Sequence, residues 1–219
     1  MKININLKQF KINRVIKYFV IVDLVFLSGW GLLGPIFSIF VLERVEGATL
    51  LTVGAVASFY WIVRAMVEFP VALYIDKKEG EKDDFYVLLL GLMLAGFSAI
   101  SFLLVKTVAS LFLVQFIQAI AFSLYTPAWS AIFSRHLDKK RTAFDWSLDH
   151  TAIGLSFGVS AFIGGALTNF FGFESVFIIA SIMSFASAFL LFSVPGLILP
   201  RAITKKPLLM DHTPVSINK

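Results

Sequence analysis

Two charged residues interrupt an apolar stretch and are the first candidates for chemistry in this chain. Arg64 and Glu68 are four residues apart, which places them on one face if the stretch is helical. An arginine can bind an anionic group of a substrate, while a neighbouring carboxylate can tune that binding or carry a coupling proton. The alternative is an internal ion pair that neutralises itself and fixes the packing between segments. The residues alone leave both interpretations open.

Asp23 is a second candidate, a few residues into another apolar stretch. Loss of solvation favours the protonated form of a carboxyl group, so Asp23 could take part in coupling by binding a proton. The favoured interpretation is a position among the lipid headgroups, where Asp23 would pair with Lys17 or Arg14. At the membrane surface, Asp23 would need no functional role.

Asp145 and Asp149 share one face at the start of a later apolar stretch, and His150 follows them. Carboxylates near a helix N-terminus are stabilised by the helix dipole. We therefore expect capping there, together with ion pairs to Arg135 or Arg141.

Polar and aromatic residues in the other apolar stretches could form a hydrogen-bonding wall around a substrate. Trp30 and Gln118 are the better candidates, and Gln115 is the third. Aromatic residues at helical spacing more commonly serve packing or anchor a span at the membrane surface, which is the expected role of Trp129. The remaining aromatic candidates are Tyr60, Trp61 and Tyr125.

One pentapeptide matches a catalytic motif, but we interpret it as a site of helix packing. Gly154–Gly158 (GLSFG) has the form G-x-S-x-G of serine hydrolases, so an intramembrane serine protease is the enzyme alternative. Ser156 would need a histidine within reach. His150 is on the same segment but on another face, whereas His136 and His212 lie outside the apolar stretches. A packing face of small residues explains the pattern better.

Other kinds of chemistry find little support in the composition. The chain has no cysteine, which excludes a thiol nucleophile and a disulfide framework. No cluster has the spacing of metal ligands, and no glycine-rich loop with a lysine suggests nucleotide binding. We expect no cofactor and no metal, so energy would come from an ion gradient or from the gradient of a solute.

Six apolar stretches position these residues, and each is long enough to cross a bilayer as a helix of about 20 residues. Hydrophobic residues make up 58% of the chain and charged residues 15%, against about 45–50% and 25% in soluble proteins. Continuous segments of this length are not barrel strands, so the fold class is an all-α integral membrane protein. The stretches are Tyr18–Leu42, Leu50–Ile75, Phe85–Val105, Val108–Phe133, Ser147–Phe170 and Val176–Leu199.

The basic residues predict the orientation of these spans. Of the 19 lysines and arginines, 16 lie before the first span, after the sixth, or in the loops after spans two and four. Only Arg44 and Lys106 lie on the opposite side. This asymmetry predicts that both termini are cytoplasmic. The net charge of +5 is therefore explained by topology and contact with the lipid bilayer, and we expect no nucleic acid partner.

The loops on the predicted outer side are very short, so consecutive spans are expected to be antiparallel neighbours. We predict a basic N-terminal segment over 1–17, one six-helix domain over 18–199 and a cytoplasmic tail over 200–219. The first span is expected to stay in the protein rather than be cleaved as a signal peptide. The loop Arg135–Trp146 has room for a short surface helix.

Four segments, in the right order, resemble motifs of one transporter family. After span two, Ala72–Asp76 (ALYID) followed by Lys77 is similar to the signature G-x-L-a-D-R-x-G-R-K of the major facilitator superfamily. Gly80 comes one residue late, and Glu81–Lys82 replaces the basic pair. In span one, Gly29–Pro35 (GWGLLGP) resembles the Gly- and Pro-rich first helix of many members.

Two later segments extend the resemblance. Gln115–Ala119 (QFIQA) aligns with R-x-x-Q-G of the fourth helix, with glutamine in place of the arginine and alanine in place of the glycine. Gly164–Phe177 (GGALTNFFGFESVF) is similar to the run G-G-x-L-x-x-x-x-G-W-x-x-x-F that joins the fifth and sixth helices, and is the best match. Where the antiporter signature has upstream glycines, the chain has Ser156 and Ser160. The missing arginine argues against proton-coupled drug antiport.

The resemblance implies one six-helix half of a transporter that usually has two such halves, arranged as parallel repeats around a central cavity. It places spans one and four at the cavity, two and five at the contact between halves, and three and six towards lipid. It also implies a cytoplasmic charge network that holds the halves in one state. The expected members of this network are Asp76, Lys77, Arg135, Arg141, Asp145 and Asp149.

A parallel homodimer of six-span chains would reproduce the twelve-helix architecture with two-fold symmetry. We therefore predict a plasma-membrane transporter of a small solute that works by alternating access. The alternatives are one half of a heteromeric transporter, a helper that stabilises other membrane proteins without transporting, and the protease described above.

Overall fold

The computed structural model describes residues 13–77, 81–138 and 141–194. Six helices in this part are long and apolar enough to cross a membrane, which confirms the predicted number of spans. Residues 1–12 and 195–219 lie outside the described part, as do most of the predicted terminal segments. The helices are α1 Arg14–Leu33, α2 Phe37–Arg44, α3 Leu50–Asp76, α4 Lys82–Ser101, α5 Val108–Arg135, α6 Thr142–Phe171 and α7 Phe173–Ser193.

The first span is broken rather than continuous. It consists of α1 and α2, separated by a turn at 34–36 that the Ile36 amide closes by donating to the Leu33 carbonyl. Pro35 has no N–H to donate, and its ring would clash with the carbonyl four residues earlier, so the helix ends before it. The predicted span Tyr18–Leu42 is therefore wrong as a single helix.

Other boundaries are set by recognisable caps. Thr49 before α3 and Thr107 before α5 each form a reciprocal capping box with the residue three positions later. The φ angle of Gly172 is +82°, in the region that favours glycine, which allows the sharp turn between α6 and α7. The short surface helix expected before residue 147 is absent from the described residues, because α6 already begins at Thr142.

The helices form two layers. The α3 helix packs on α5 and the α6 helix on α1, while α4 and α7 pack on each other and on α5 and α1 respectively. The rings of Phe26 and Tyr125 (centroids 4.6 Å apart) and of Trp30 and Phe122 (5.1 Å) join α1 to α5. The front layer therefore has the order α3, α5, α1, α6, and α4 and α7 form the back layer.

The basic residues divide between the two ends of this bundle. We call the end where α1, α4 and α6 begin the basic end. The end where α2 finishes and α5 and α7 begin is the opposite end.

Since α3 and α6 are outermost in the front layer, most of their surface is not covered by other helices. The buried residues of α3 are Val56 and Ile75.

Small residues bring α1 and α6 very close. The hydroxyl groups of Ser28 and Ser156 are 2.6 Å apart, and a Cβ added at Gly31 would lie 3.0 Å from the Cβ of Ser160. A Cβ at Gly164 would lie 2.2 Å from the Leu32 carbonyl oxygen. Close approach of this kind is how helices pack in a membrane, where no hydrophobic effect drives them together.

Gly164 and Gly165 provide a matched test of this packing. Gly164→Ala should lower the free energy of unfolding by about 1–3 kcal/mol, because the new methyl group overlaps the backbone of α1. Gly165→Ala should be neutral or stabilising by about 0.5–1 kcal/mol, since nothing lies within 4 Å of its added Cβ. Tryptophan fluorescence during denaturant unfolding in detergent measures both. Equal effects of the two substitutions would contradict the register of α1 against α6.

Candidate functional site

Arg64 lies in the middle of α3 and is held from both α3 and α5. Its Nε donates to Glu68 Oε2 at 2.9 Å, and Nη1 donates to the hydroxyl of Tyr60 at 3.3 Å. Its Nη2 donates to Thr126 Oγ1 on α5 at 2.8 Å. Tyr60, Arg64 and Glu68 are spaced by four residues, so one face of α3 carries all three. The predicted Arg64–Glu68 pair is therefore formed, and it is anchored to a neighbouring helix.

Aromatic rings surround the guanidinium group. Its central carbon lies 5.1 Å from the ring centroid of Trp61 and 5.7 Å from that of Phe122. The Arg64 side chain is 17% exposed. Cation–π contacts of this kind stabilise a partly desolvated cation. Arg64 therefore keeps its charge at low exposure through a carboxylate, two hydroxyl groups and two ring faces.

A cleft of about 510 Å³ opens beside this pair, between α3 and α5. Its wall combines the charged pair with apolar surface, which is the usual composition of a small-molecule site. Each of the nitrogens Nη1 and Nη2 carries a second N–H beyond the one that donates to Tyr60 or Thr126, and these are available to an incoming acceptor. The lining residues are Trp61, Arg64, Ala65, Glu68, Phe69, Ala72 and Pro127.

Phe122 links this cleft to α1. Besides facing Arg64, its ring contacts Trp30 and lies 5.4 Å from the Phe26 ring and 6.2 Å from the Tyr60 ring. One aromatic surface therefore crosses the front layer from α3 through α5 to α1. It brings Arg64 and Trp30, predicted separately, into a single region.

Among the buried polar atoms of the front layer that lack a hydrogen-bond partner within the described part of the chain, three belong to uncharged side chains of the predicted substrate site. They are Trp30 Nε1, Gln115 Oε1 and Gln118 Oε1. Gln118 lies one turn before Phe122 on α5. Buried polar atoms are nearly always paired, so groups left without a protein partner call for water or a ligand. All three belong to residues predicted from the sequence to line a substrate site.

Asp23 faces the α6 helix. The register of Ser28 with Ser156 and of Leu32 with Gly164 places Asp23 level with Asp149, and the two carboxylates interact electrostatically. Asp23 is 2% exposed and Asp149 is 1% exposed, and each has one oxygen without a partner among the described residues. Two buried carboxyl groups that interact electrostatically can share a proton.

The ion pair of Asp23 with Lys17 or Arg14 is not formed within the described residues. Both basic side chains are exposed at the start of α1, while Asp23 is covered by α6. Asp149 likewise lies on the face of α6 that contacts α1.

A separate group of charges lies at the basic end. Arg135, at the end of α5, forms an ion pair with Asp84 in the first turn of α4. Next to it, His136 Nδ1 lies 3.5 Å from Glu81 Oε1. Burial raises the pKa of Glu81, which His136 and Arg135 lower in part. These contacts join α4 to the end of α5.

Residues of the predicted charge network lie at this end of the bundle. Arg135 is a member, and Asp76 lies close enough to interact electrostatically with Asp84. Asp145 Oδ2 accepts a hydrogen bond from the Asp138 amide at 2.9 Å, which fixes the turn before α6. Arg141 lies at the start of α6 and Lys77 is exposed at the end of α3.

Several site residues were missed by reasoning from the sequence. Asp84, Glu81 and His136 lie in charged loop segments where local spacing does not identify a partner. Thr126 and Phe122 are ordinary residues for a span, and only the register of α3 against α5 shows their contact with Arg64. The one sequence pattern that could have indicated this contact is the spacing of four residues between Phe122 and the polar Thr126, which places both on one face of α5.

The Ser156 hydroxyl is paired with that of Ser28 and is nearly buried. This geometry supports the packing interpretation for Ser156, whereas nothing lies within 4 Å of a Cβ added at Gly154 or Gly158.

The two-layer bundle, built from six helices that are long and apolar enough to cross a membrane, is that of an integral membrane protein. The family model of the Major Facilitator Superfamily matches residues 19–213, and the chain belongs to this family. It is also 26% identical over 160 residues to an uncharacterized MFS-type transporter of Methanocaldococcus jannaschii. That match covers 73% of this chain and 40% of the relative, so the chain matches two-fifths of that relative's length.

A double-mutant cycle tests the Arg64–Glu68 pair. Arg64→Met and Glu68→Gln should each lower the free energy of unfolding by about 1–3 kcal/mol, because each leaves the other charge without its partner in a low-dielectric environment. The double variant should lose clearly less than the sum of the two effects. Denaturant unfolding in detergent measures all three variants.

The exposed pair Arg44–Glu174 is the matched control, with side chains 52% and 56% exposed. Its coupling should be about 0–1 kcal/mol, as for other surface ion pairs. Equal coupling in the two pairs would mean that Arg64 and Glu68 are solvated like surface residues.

Proposed function

We propose that this chain moves a small solute across the membrane by alternating access, and that two copies assemble as a parallel homodimer. The observation that carries the proposal is the site on the front layer, where Arg64 and Trp30 both contact Phe122 and Glu68 pairs with Arg64. Polar atoms without partners and a cleft beside the charged pair are the features of a solute site. The family resemblance assigns spans one and four to the cavity, and α1 and α5 occupy the centre of this layer.

The charged face supports the need for a second six-helix unit. A polar surface in the middle of a bilayer is costly when it faces lipid, and charged residues normally face a bundle interior or a water-filled cavity. A second unit placed over the front layer would enclose Arg64 and Glu68. The same unit would cover the outer faces of α3 and α6.

Open glycines on the outermost helices suit such a contact. Nothing lies within 4 Å of a Cβ added at Gly54 on α3, or at Gly154, Gly158 and Gly165 on α6. In a two-fold assembly, α3 of one copy would meet α6 of the other. Another six-helix polypeptide in place of the second copy remains the alternative.

Native mass spectrometry of the protein released from nanodiscs tests the assembly. We expect a species of about twice the 24.4 kDa chain mass plus bound lipid. The chain contains no cysteine, so any disulfide cross-link must form between the introduced cysteines. Gly54→Cys combined with Gly165→Cys should cross-link two copies, because both positions are open and near the opposite end.

The control pair is Gly54→Cys with Phe192→Cys, since Phe192 lies on the back layer and should not reach α3 of a partner. A monomer without cross-links would exclude the homodimer and direct attention to a different six-helix partner.

Solute counterflow in proteoliposomes tests transport. A panel of labelled organic acids, amino acids, sugars and organic cations should contain at least one solute that exchanges above empty vesicles. Arg64→Ala and Glu68→Gln should reduce that exchange by at least about tenfold, the effect of losing roughly one charge-assisted hydrogen bond. Phe192→Leu on the back layer is the control. In the same vesicles, Asp23→Asn should remove any response to a pH gradient.

Normal exchange by correctly folded Arg64→Ala and Glu68→Gln proteins would overturn the site assignment. An unchanged pH response in Asp23→Asn would remove Asp23 from coupling.

A further inference from the structure

A second pocket lies far from Arg64, at the opposite end of the bundle. It has a volume of about 300 Å³ and is bounded by α2, the connection between α4 and α5, and the start of α7. The spans end at this level, where the lipid headgroups of the adjoining leaflet meet water. The pocket therefore faces the membrane surface.

The floor of the pocket is a rigid aromatic cluster of four buried phenylalanines. The ring centroids of Phe40 and Phe177 are 4.8 Å apart, and those of Phe102 and Phe177 are stacked at 5.1 Å. Phe173 completes the floor, with its ring 5.7 Å from that of Phe40. Such a surface suits hydrocarbon and offers nothing to a strongly hydrated solute.

The rim carries two positive and two negative charges. They are Arg44, Lys106, Glu46 and Glu174, all exposed. Arg44 lies 3.8 Å from Glu174, and its guanidinium carbon is 5.6 Å from the Phe173 ring centroid. Among the described residues, Lys106 and Glu46 have no side-chain ion pair. Both basic residues that the described part of the chain has at the opposite end are therefore in this rim.

The backbone holds the rim in place. The Glu46 amide donates to the Lys106 carbonyl at 2.8 Å, and Glu46 and Thr107 form a parallel bridge. The Thr107 capping box fixes the next turn. Because the two loops are tied together, the charges of Glu46 and Lys106 stay on neighbouring backbone positions.

We propose that this pocket binds the headgroup of a zwitterionic phospholipid with a primary ammonium group, of the phosphatidylethanolamine type. Arg44 and Lys106 would bind the phosphate, and Glu46 and Glu174 would bind the ammonium group. The phenylalanine rings would pack against the glycerol and the upper part of the acyl chains. An anionic lipid without an amine would satisfy the cations but leave both carboxylates facing its phosphate. This site does not depend on the chain being a transporter.

Lipid titration followed by native mass spectrometry tests the proposal with the full chain in detergent. Phosphatidylethanolamine should bind about fivefold more tightly than phosphatidylglycerol, the ratio that one favourable exposed ion pair supplies. Glu46→Gln with Glu174→Gln should remove this preference. Arg44→Gln with Lys106→Gln should weaken the binding of both lipids by about fivefold or more.

Lys82→Gln, at the basic end, is the matched control and should change neither lipid's binding. All rim side chains are exposed, so the variants should keep the unfolding temperature of the parent protein. If a double variant fails to fold, Glu46→Gln and Lys106→Gln alone carry the test with about twofold shifts.

Three outcomes would overturn the proposal. The first is equal binding of the two lipids. The second is a preference for phosphatidylethanolamine that survives the removal of both carboxylates. The third is equally tight binding of water-soluble glycerophosphoethanolamine, which would make the ligand a free solute rather than a membrane lipid.

Discussion

The positive charge of Arg64 in the middle of a span is the constraint on which the front layer depends. A cation at this depth needs partners that water cannot supply, and α3 alone provides only Tyr60, Glu68 and the ring of Trp61. The remaining contacts come from Thr126 and Phe122 on α5. Stabilising one charge therefore fixes the approach of α3 to α5 and the position of Phe122 between Arg64 and Trp30.

The architecture was predictable from the sequence because its determinants are local. Span length and apolar composition predict six membrane helices, and spacing by four residues predicts the Arg64–Glu68 contact. The family resemblance also rests on short segments that can be compared one at a time. Each of these patterns can be recognised within a segment no longer than about one helix.

The misinterpreted parts depend on register between distant segments. Nothing near Asp23 in the sequence indicates that α6 covers it, since this follows from the fit of Ser28 and Leu32 against Ser156 and Gly164. The nearby lysine and arginine made a headgroup pair the natural expectation. The break in span one was visible as Pro35, yet flanking apolar residues on both sides favoured one long helix.

The bridge between Glu46 and Thr107 has a mechanical consequence. It fastens the loop after α2 to the loop before α5, while Pro35 leaves α2 joined to α1 only through a turn. The short α2 helix is thus tied at its end to the connection between α4 and α5, and to α1 through a turn. When the bundle bends, we expect α2 to travel with α5 and the strain to concentrate at residues 34–36, which makes this turn the hinge of the first span.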